Sequence, residues 1–291
     1  MKPNERIPYQ PIVERAPLTL PGGARVVIWP LVTVEVWDST APLPRTVLSP
    51  PGGQSFVPDV PNWTWAEYGM RVGFWRLKKI LDEFDIRATL SLNGAVCEAY
   101  SQVVQAALES RWEPMAHSYL QKPMHSLVDE RAAIRKSVKI IREHTGIQPR
   151  GWMGPGLTQT DDTPEYLVEA GIEYVTDWVL DDQPCRIATD KGPLYTIPYS
   201  VEINDVAFAA IQHRPSSEIY TRAMDQFDCL YEEGETNARV MAIAVHPYLS
   251  GVPHRIKYFR RLIETLSQKP GVVFWTGGEI LDWYKTVVPA D

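Results

Sequence analysis

Cysteine is scarce in this 291-residue chain. The three present, Cys97, Cys185 and Cys229, stand far apart and form no CxxC pair. That spacing excludes a disulfide framework and a cysteine-built zinc site. Long apolar runs are missing as well, and no stretch of about 18 apolar residues is available to span a bilayer. The opening MKPNERIPYQ alternates proline with charge and lacks the apolar segment of a secretory leader, so a cytoplasmic location is expected. Bases are outnumbered, 29 against 36 acids, for a net charge of −7. No nucleic-acid partner is expected from that balance, and no membrane partner from the missing apolar span. The one dense basic run, His254 to Arg261, has the spacing of a solvated helix face. Internal repeats and low-complexity tracts are absent too.

What is abundant is proline, with 25 residues, and large aromatics, with 10 Trp and 13 Tyr. Prolines 3, 8, 11, 17 and 21 break any regular element in residues 1–23, which read as an extended arm. The rest, 24–291, reads as one domain. Ala41 to Trp63 is a long Pro/Gly loop, and loops of that length in compact domains are usually functional, so it is expected to fold over a site.

The remaining pattern alternates strands and helices. Strands are expected at Ala24 to Trp37, Ala88 to Leu92, Glu113 to His117, Gly151 to Met153, Ile172 to Asp177, Arg239 to His246 and Val272 to Trp275, with short extended pieces near Leu194 to Ile197 and Val206 to Ala209. Helices are expected at Tyr68 to Asp85, Ala95 to Glu109, Val128 to His144, Pro164 to Gly171, Glu218 to Tyr231, Arg255 to Gln268 and Gly278 to Lys285. This order implies α/β architecture with a parallel sheet, and about seven such units suggest a barrel. An open doubly wound sheet is the other arrangement that fits.

In a barrel, chemistry gathers at the C-terminal ends of the strands. That position selects Glu35, His117, Trp152, Asp177 and His246. Thr33, Glu35 and Trp37 alternate and so share one strand face. A carboxylate there is either a buried salt-bridge partner or a general base or metal ligand. His117 follows an apolar strand and precedes a polar loop, with Gln121 four residues on. An HxxxH pair would signal a metal, but HxxxQ does not, because a neutral amide oxygen is a poor zinc ligand. His246, held out of helical geometry by the following proline, is a structural histidine or a proton donor. Trp152, in the turn Gly151 to Gly156, could stack a planar ligand or simply close a tight loop.

In this order, the stretches TVEVWD (33–38), AHSYLQ (116–121), RGWMGPG (150–156), TDW (176–178) and IAVHP (243–247) resemble the polysaccharide deacetylase superfamily. The resemblance spans roughly residues 25 to 285 and implies the distorted (β/α)7 barrel of the NodB-homology fold. It also implies a match to an acidic pair on the first strand, an HxxxH loop, an Arg-containing turn, an Asp-Trp element and a late His-Pro. Two positions depart from that pattern. Thr33 takes the first acidic position, leaving Glu35 as the only carboxylate of the pair, and Gln121 stands where the second metal histidine belongs. The chain thereby looks like the cytosolic subgroup containing metal-independent allantoinases and cyclic imide hydrolases.

That likeness implies an amidohydrolase of C–N bonds that opens a small cyclic amide: an imide, a ureide or an allantoin-like ring. Glu35 would activate water, His117 would orient it or stabilise the oxyanion, and His246 would protonate the departing nitrogen. Trp152 and Trp37 would wall the ring, with Gln121 and Asp177 as further substrate contacts. No cofactor is expected. The alternative is a zinc-dependent N-deacetylase of a small amide or sugar, with Glu35 and His117 as ligands. A third reading is an inactive barrel that binds a ring compound or a partner protein. A homo-oligomer is expected from the resemblance, with the arm as a contact that protomers could exchange.

Overall fold

A computed structural model describes residues 1–288. Nine strands form one sheet: β1 (Val26–Val34), β2 (Thr89–Leu92), β3 (Glu113–Ala116), β4 (Gly151–Trp152), β5 (Tyr174–Val175), β6 (Cys185–Ile187), β7 (Leu194–Thr196), β8 (Arg239–Val245) and β9 (Val272–Phe274). The helices are α1 (Pro3–Arg6), α2 (Val60–Tyr68), α3 (Phe74–Glu83), α4 (Gly94–Ala99), α5 (Ser101–Glu109), α6 (Glu130–Thr145), α7 (Thr163–Glu169), α8 (Glu218–Glu233), α9 (Ile256–Ser267) and α10 (Gly277–Val287). None of the described helices is long and apolar enough to cross a membrane.

The strand order is β6-β7-β5-β4-β3-β2-β1-β8, with β9 also on β1. Every pairing is parallel except β6 with β7. The sheet curls into the distorted barrel expected, left partly open where a single bridge, Asn204 to Ala244, spans from the segment after β7 to β8. β1 is the spine. It pairs with β8 along one edge, and on the other with β9 at Val26–Ile28 and β2 at Leu31–Val34.

Alternation along β1 divides the core. Val26, Ile28, Val32 and Val34 pack toward the outer helices, against Phe74 and Leu77 of α3. Val27, Trp29 and Leu31 join Met115, Met153, Tyr174 and Leu281 in the second layer. That second layer also takes Leu18 and Leu20 of the arm and Trp283 of α10. The arm is thus docked on its own chain. Trp283 donates to the Thr19 carbonyl, and buried Arg6 forks onto Glu165.

Several elements differ from the sequence reading: the arm read as extended holds the short helix α1, β6 lies where no strand is expected, and the helix expected over Tyr68 to Asp85 is interrupted by a π-turn at Gly69–Gly73. The long loop ends early, because α2 starts at Val60. Proline is tolerated in a helix's first turn, and Asp59 caps the helix by accepting from the Asn62 amide. The expected helix over 95–109 breaks at Tyr100 into α4 and α5. Val206 to Ala209 is not extended but lies in a π-helical turn, Val206–Ile211. There the Asn204 side chain accepts from the Val206 amide and its carbonyl from Ala207, which closes the chain into a turn that apolar content alone does not reveal.

Candidate active site

Glu35, Asn93, His117, Met153, Asp177 and His246 each lie just past the C-terminal end of a strand. Three of them converge. Glu35 Oε1 lies 3.8 Å from His117 Nε2 and 3.7 Å from His246 Nε2. The other carboxylate oxygen, Oε2, accepts from the Trp37 indole at 2.7 Å, as expected for residues sharing a strand face.

Each imidazole is held from behind. His117 Nδ1 donates to the Met153 carbonyl at 2.7 Å, so Nε2 is the ring nitrogen that faces Glu35. His117 Nε2 has no hydrogen-bond partner of its own. Ser118 follows in the left-handed region, φ 58°, and its carbonyl accepts from Gly94 and Ser137. Asn93 donates to the His117 carbonyl, fixing the backbone at the β2 and β3 ends together. His246 Nδ1 donates to Asp205 Oδ1 at 2.7 Å, while Asp205 Oδ2 accepts from the His246 amide and Ser250 Oγ. Behind His246, the π-turn Gly69–Gly73 packs on the loop. A Cβ on Gly73 would lie 2.0 Å from the Pro247 carbonyl oxygen, so only glycine permits that approach.

Burial alone would raise the Glu35 carboxyl. The facing His117 imidazole, the field of His246 and that of Arg45 outweigh it and hold the group at about 2. Asp177 is pushed the other way. Burial lifts it to about 6, although Gln159 Nε2 and the Gly154 amide donate to it.

The other residues named from sequence take different places. Trp37 is buried and packs edge-on to Trp65 and Tyr248, with the Tyr248 ring 5.5 Å from His246. Trp152 is fully buried in the outer core layer with Ala116, Val175 and Leu167, so its ring lies between sheet and helices. Gln121 is half-buried with its Oε1 shielded and unpartnered. Arg150, in the stretch matched to the Arg-containing turn, precedes β4 and pairs with Glu173 and Asp282 at the far end of the barrel.

Two residues of the site were not named from sequence. Asp205 stands immediately before Val206 to Ala209, the apolar segment read as extended; an acid at the head of such a run was the available signal, since a buried charge needs a reason. Arg45 sits on the long loop and donates to the Tyr248 hydroxyl at 3.2 Å. The loop is tied down by Asn62, whose Oδ1 accepts from the Val47 and Leu48 amides, and by Trp63 donating to the Trp37 carbonyl. Beside it, Glu35, His117 and His246 are only 6%, 2% and 4% exposed.

Among the described residues no group of three or more His, Cys, Asp or Glu side chains is arranged to hold a metal ion. Glu35 and His117 are two strong donors, and His246 Nε2 faces the same carboxylate oxygen, while the further position in the His117 loop is the neutral amide of Gln121, a poor zinc ligand.

The polysaccharide deacetylase family model matches residues 65–175. A Schizosaccharomyces pombe protein bearing the polysaccharide deacetylase name is 32% identical over 231 residues, 71% of this chain and 70% of its own length. Among solved structures, a Pseudomonas aeruginosa protein of the same designation superposes with TM-score 0.86 at 24% identity, covering 96% of this chain and 98% of the other. The Puue allantoinase superposes with TM-score 0.87 at 23% identity, covering all of both chains. Those two superpositions establish a shared fold; the sequence match establishes descent, and this chain belongs to the polysaccharide deacetylase family, as a deacetylase-like amidohydrolase of C–N bonds.

Proposed function

We propose that the enzyme opens a small cyclic amide, such as an imide, a ureide or an allantoin-like ring, by water activation at Glu35. The observation that carries this reading is the convergence of both imidazole Nε2 atoms on Glu35 Oε1, beside a loop where Gln121 replaces the histidine of a metal pair. Full-length structural similarity to an allantoinase supports the choice of substrate class. So does chemistry. An imide carbonyl is more electrophilic than an acetamide carbonyl, and the departing nitrogen stays conjugated, so general acid–base catalysis with fixed donors suffices.

In the proposed cycle, water sits between Glu35 Oε1, which accepts one of its protons as a hydrogen bond, and His117 Nε2, which orients it. Its oxygen adds to the ring carbonyl as one proton passes to Glu35. A carboxylate held at about 2 is a weak base in the resting site. The transfer is completed because His246, doubly protonated, gives its Nε2 proton to the ring nitrogen as the C–N bond breaks. Glu35 then returns its proton to His246, 3.7 Å away, and the products are the open carboxylic acid and the freed amide nitrogen. Asp205 holds His246 Nδ1 throughout and offsets the ring's charge whenever both nitrogens are protonated.

The competing reading, a zinc-dependent deacetylase acting on a small amide or sugar, draws on the deacetylase relative and on the unpartnered His117 Nε2. Cyclic amides assayed beside N-acetyl sugars decide between them: ring opening by wild type, lost on the order of 10²-fold or more in kcat in a folded Glu35→Gln variant, supports the first. Turnover of N-acetyl sugars alone rejects it.

A further inference from the structure

The cyclic-amide reading leaves one strong recognition group at the site without a task. Arg45 is half-buried on the long loop, which reaches Tyr248 beside His246. Its one hydrogen bond is to the Tyr248 hydroxyl, and among the described residues it makes no ion pair. The carboxylates around it are already engaged: Asp205 accepts three hydrogen bonds from His246 and Ser250, and Glu35 accepts from Trp37 and faces two imidazoles. A shielded guanidinium keeps most of its planar N–H fork unused here, and that fork matches a carboxylate in bidentate geometry. It is carried on the long loop rather than on the barrel, so its partner is a group that arrives with the substrate. Trp37, Trp65 and Tyr248 stand beside it as an edge-packed aromatic wall against which a ring would lie.

We propose that Arg45 is the specificity residue of this site and that the amide it selects bears a carboxylate on or near the ring. This rests on the ring-opening reading of the same site. The cation also offsets the repulsion an anionic substrate would meet from Glu35 and Asp205, whose fields already reach Arg45. On binding, the fork engages the carboxylate and presents the ring carbonyl to Glu35.

The test pairs two substrates: a hydantoin carrying a carboxymethyl group, and the same ring carrying the neutral carboxamide. Wild type is expected to prefer the acid by on the order of 10²-fold in kcat/KM, as for a site built to pair a substrate group. In Arg45→Gln the preference falls to within about 3-fold, chiefly through KM for the acid, and Arg45→Lys keeps part of it. Equal losses on both substrates, with the ratio preserved, overturn the proposal and put Arg45 at the reacting atoms; so does a wild-type preference for the neutral ring. If wild type opens neither ring, the ring-opening reading fails on its own, and calorimetry with the ring-opened dicarboxylate still decides Arg45. Binding weakened about 10-fold or more in Arg45→Gln upholds the carboxylate role, and unchanged or undetectable wild-type binding overturns it.

Discussion

Asp205 grips His246 at two points: one carboxylate oxygen accepts from the ring Nδ1 at 2.7 Å, the other from the backbone amide of the same residue at 2.8 Å. Ring orientation and chain position are fixed by one buried side chain. The histidine can then swing neither away from Glu35 nor into the other tautomer. Asp205→Asn keeps the shape but can place a donor where Nδ1–H needs an acceptor. The expected result is a fall in kcat on the order of 10²-fold or more with KM nearly unchanged, measured on protein whose far-UV spectrum matches wild type. Near-normal kcat would remove the dyad from the chemistry.

The two displaced carboxyls give opposite pH signatures. Asp177, raised from 3.8 to about 6, favours the folded state most below about pH 4 and loses that contribution as pH rises through 6. Glu35, lowered from 4.5 to about 2, contributes above about pH 4.5 and loses its share as pH falls toward 2. Urea unfolding of wild type and Asp177→Asn from pH 4 to pH 7 should therefore shift in the variant's favour by on the order of 1–2 kcal/mol, discounted for the partial exposure of Asp177. A pH-independent difference would contradict the shift.

Asn62 is the clasp of the long loop, accepting from Val47 and Leu48 and donating to the Leu48 carbonyl. Asn62→Ala should release the strip that carries Arg45. Stopped-flow and steady-state kinetics are expected to show KM raised about 2–10-fold, the cost of ordering that strip anew on binding, with a smaller change in kcat. Lower thermal stability with unchanged KM would make the clasp purely structural.

Much of this architecture is legible from residues alone, and the limits are physical. β1 and β8 are long apolar strands, so the polar residues that end them, Glu35 and His246, stand out by position. The family pattern is carried by those ends. β4 is two residues long, and alternation has no parity to read in so short a strand; the outward turn of Trp152 follows from its core neighbours instead. Asp205 escapes because Val206 to Ile211 is uniformly apolar, and a π-helical turn leaves no periodic trace in six residues. Arg45 escapes because a proline-rich loop advertises its presence but not its path, which Asn62 sets through backbone groups. The Arg-containing turn misleads for the opposite reason: Arg150 lies one residue before its strand, and that places it at the far end of the barrel.

The measurement that bears most directly on the central claim is ring opening followed together with metal content. Enzyme purified without added metal is assayed on a panel of hydantoins, imides and ureides, before and after exhaustive chelation, with bound metal counted by mass spectrometry. The expected result is ring opening at the same rate before and after chelation, with metal far below one ion per chain, and loss of that activity in Glu35→Gln. Installing the family ligand by Gln121→His should raise zinc affinity without raising turnover, because imidazole is the better ligand and the amide is no longer free for substrate. One tightly held metal per chain, with turnover abolished by chelation and restored by zinc, would contradict the claim and make Glu35 and His117 metal ligands.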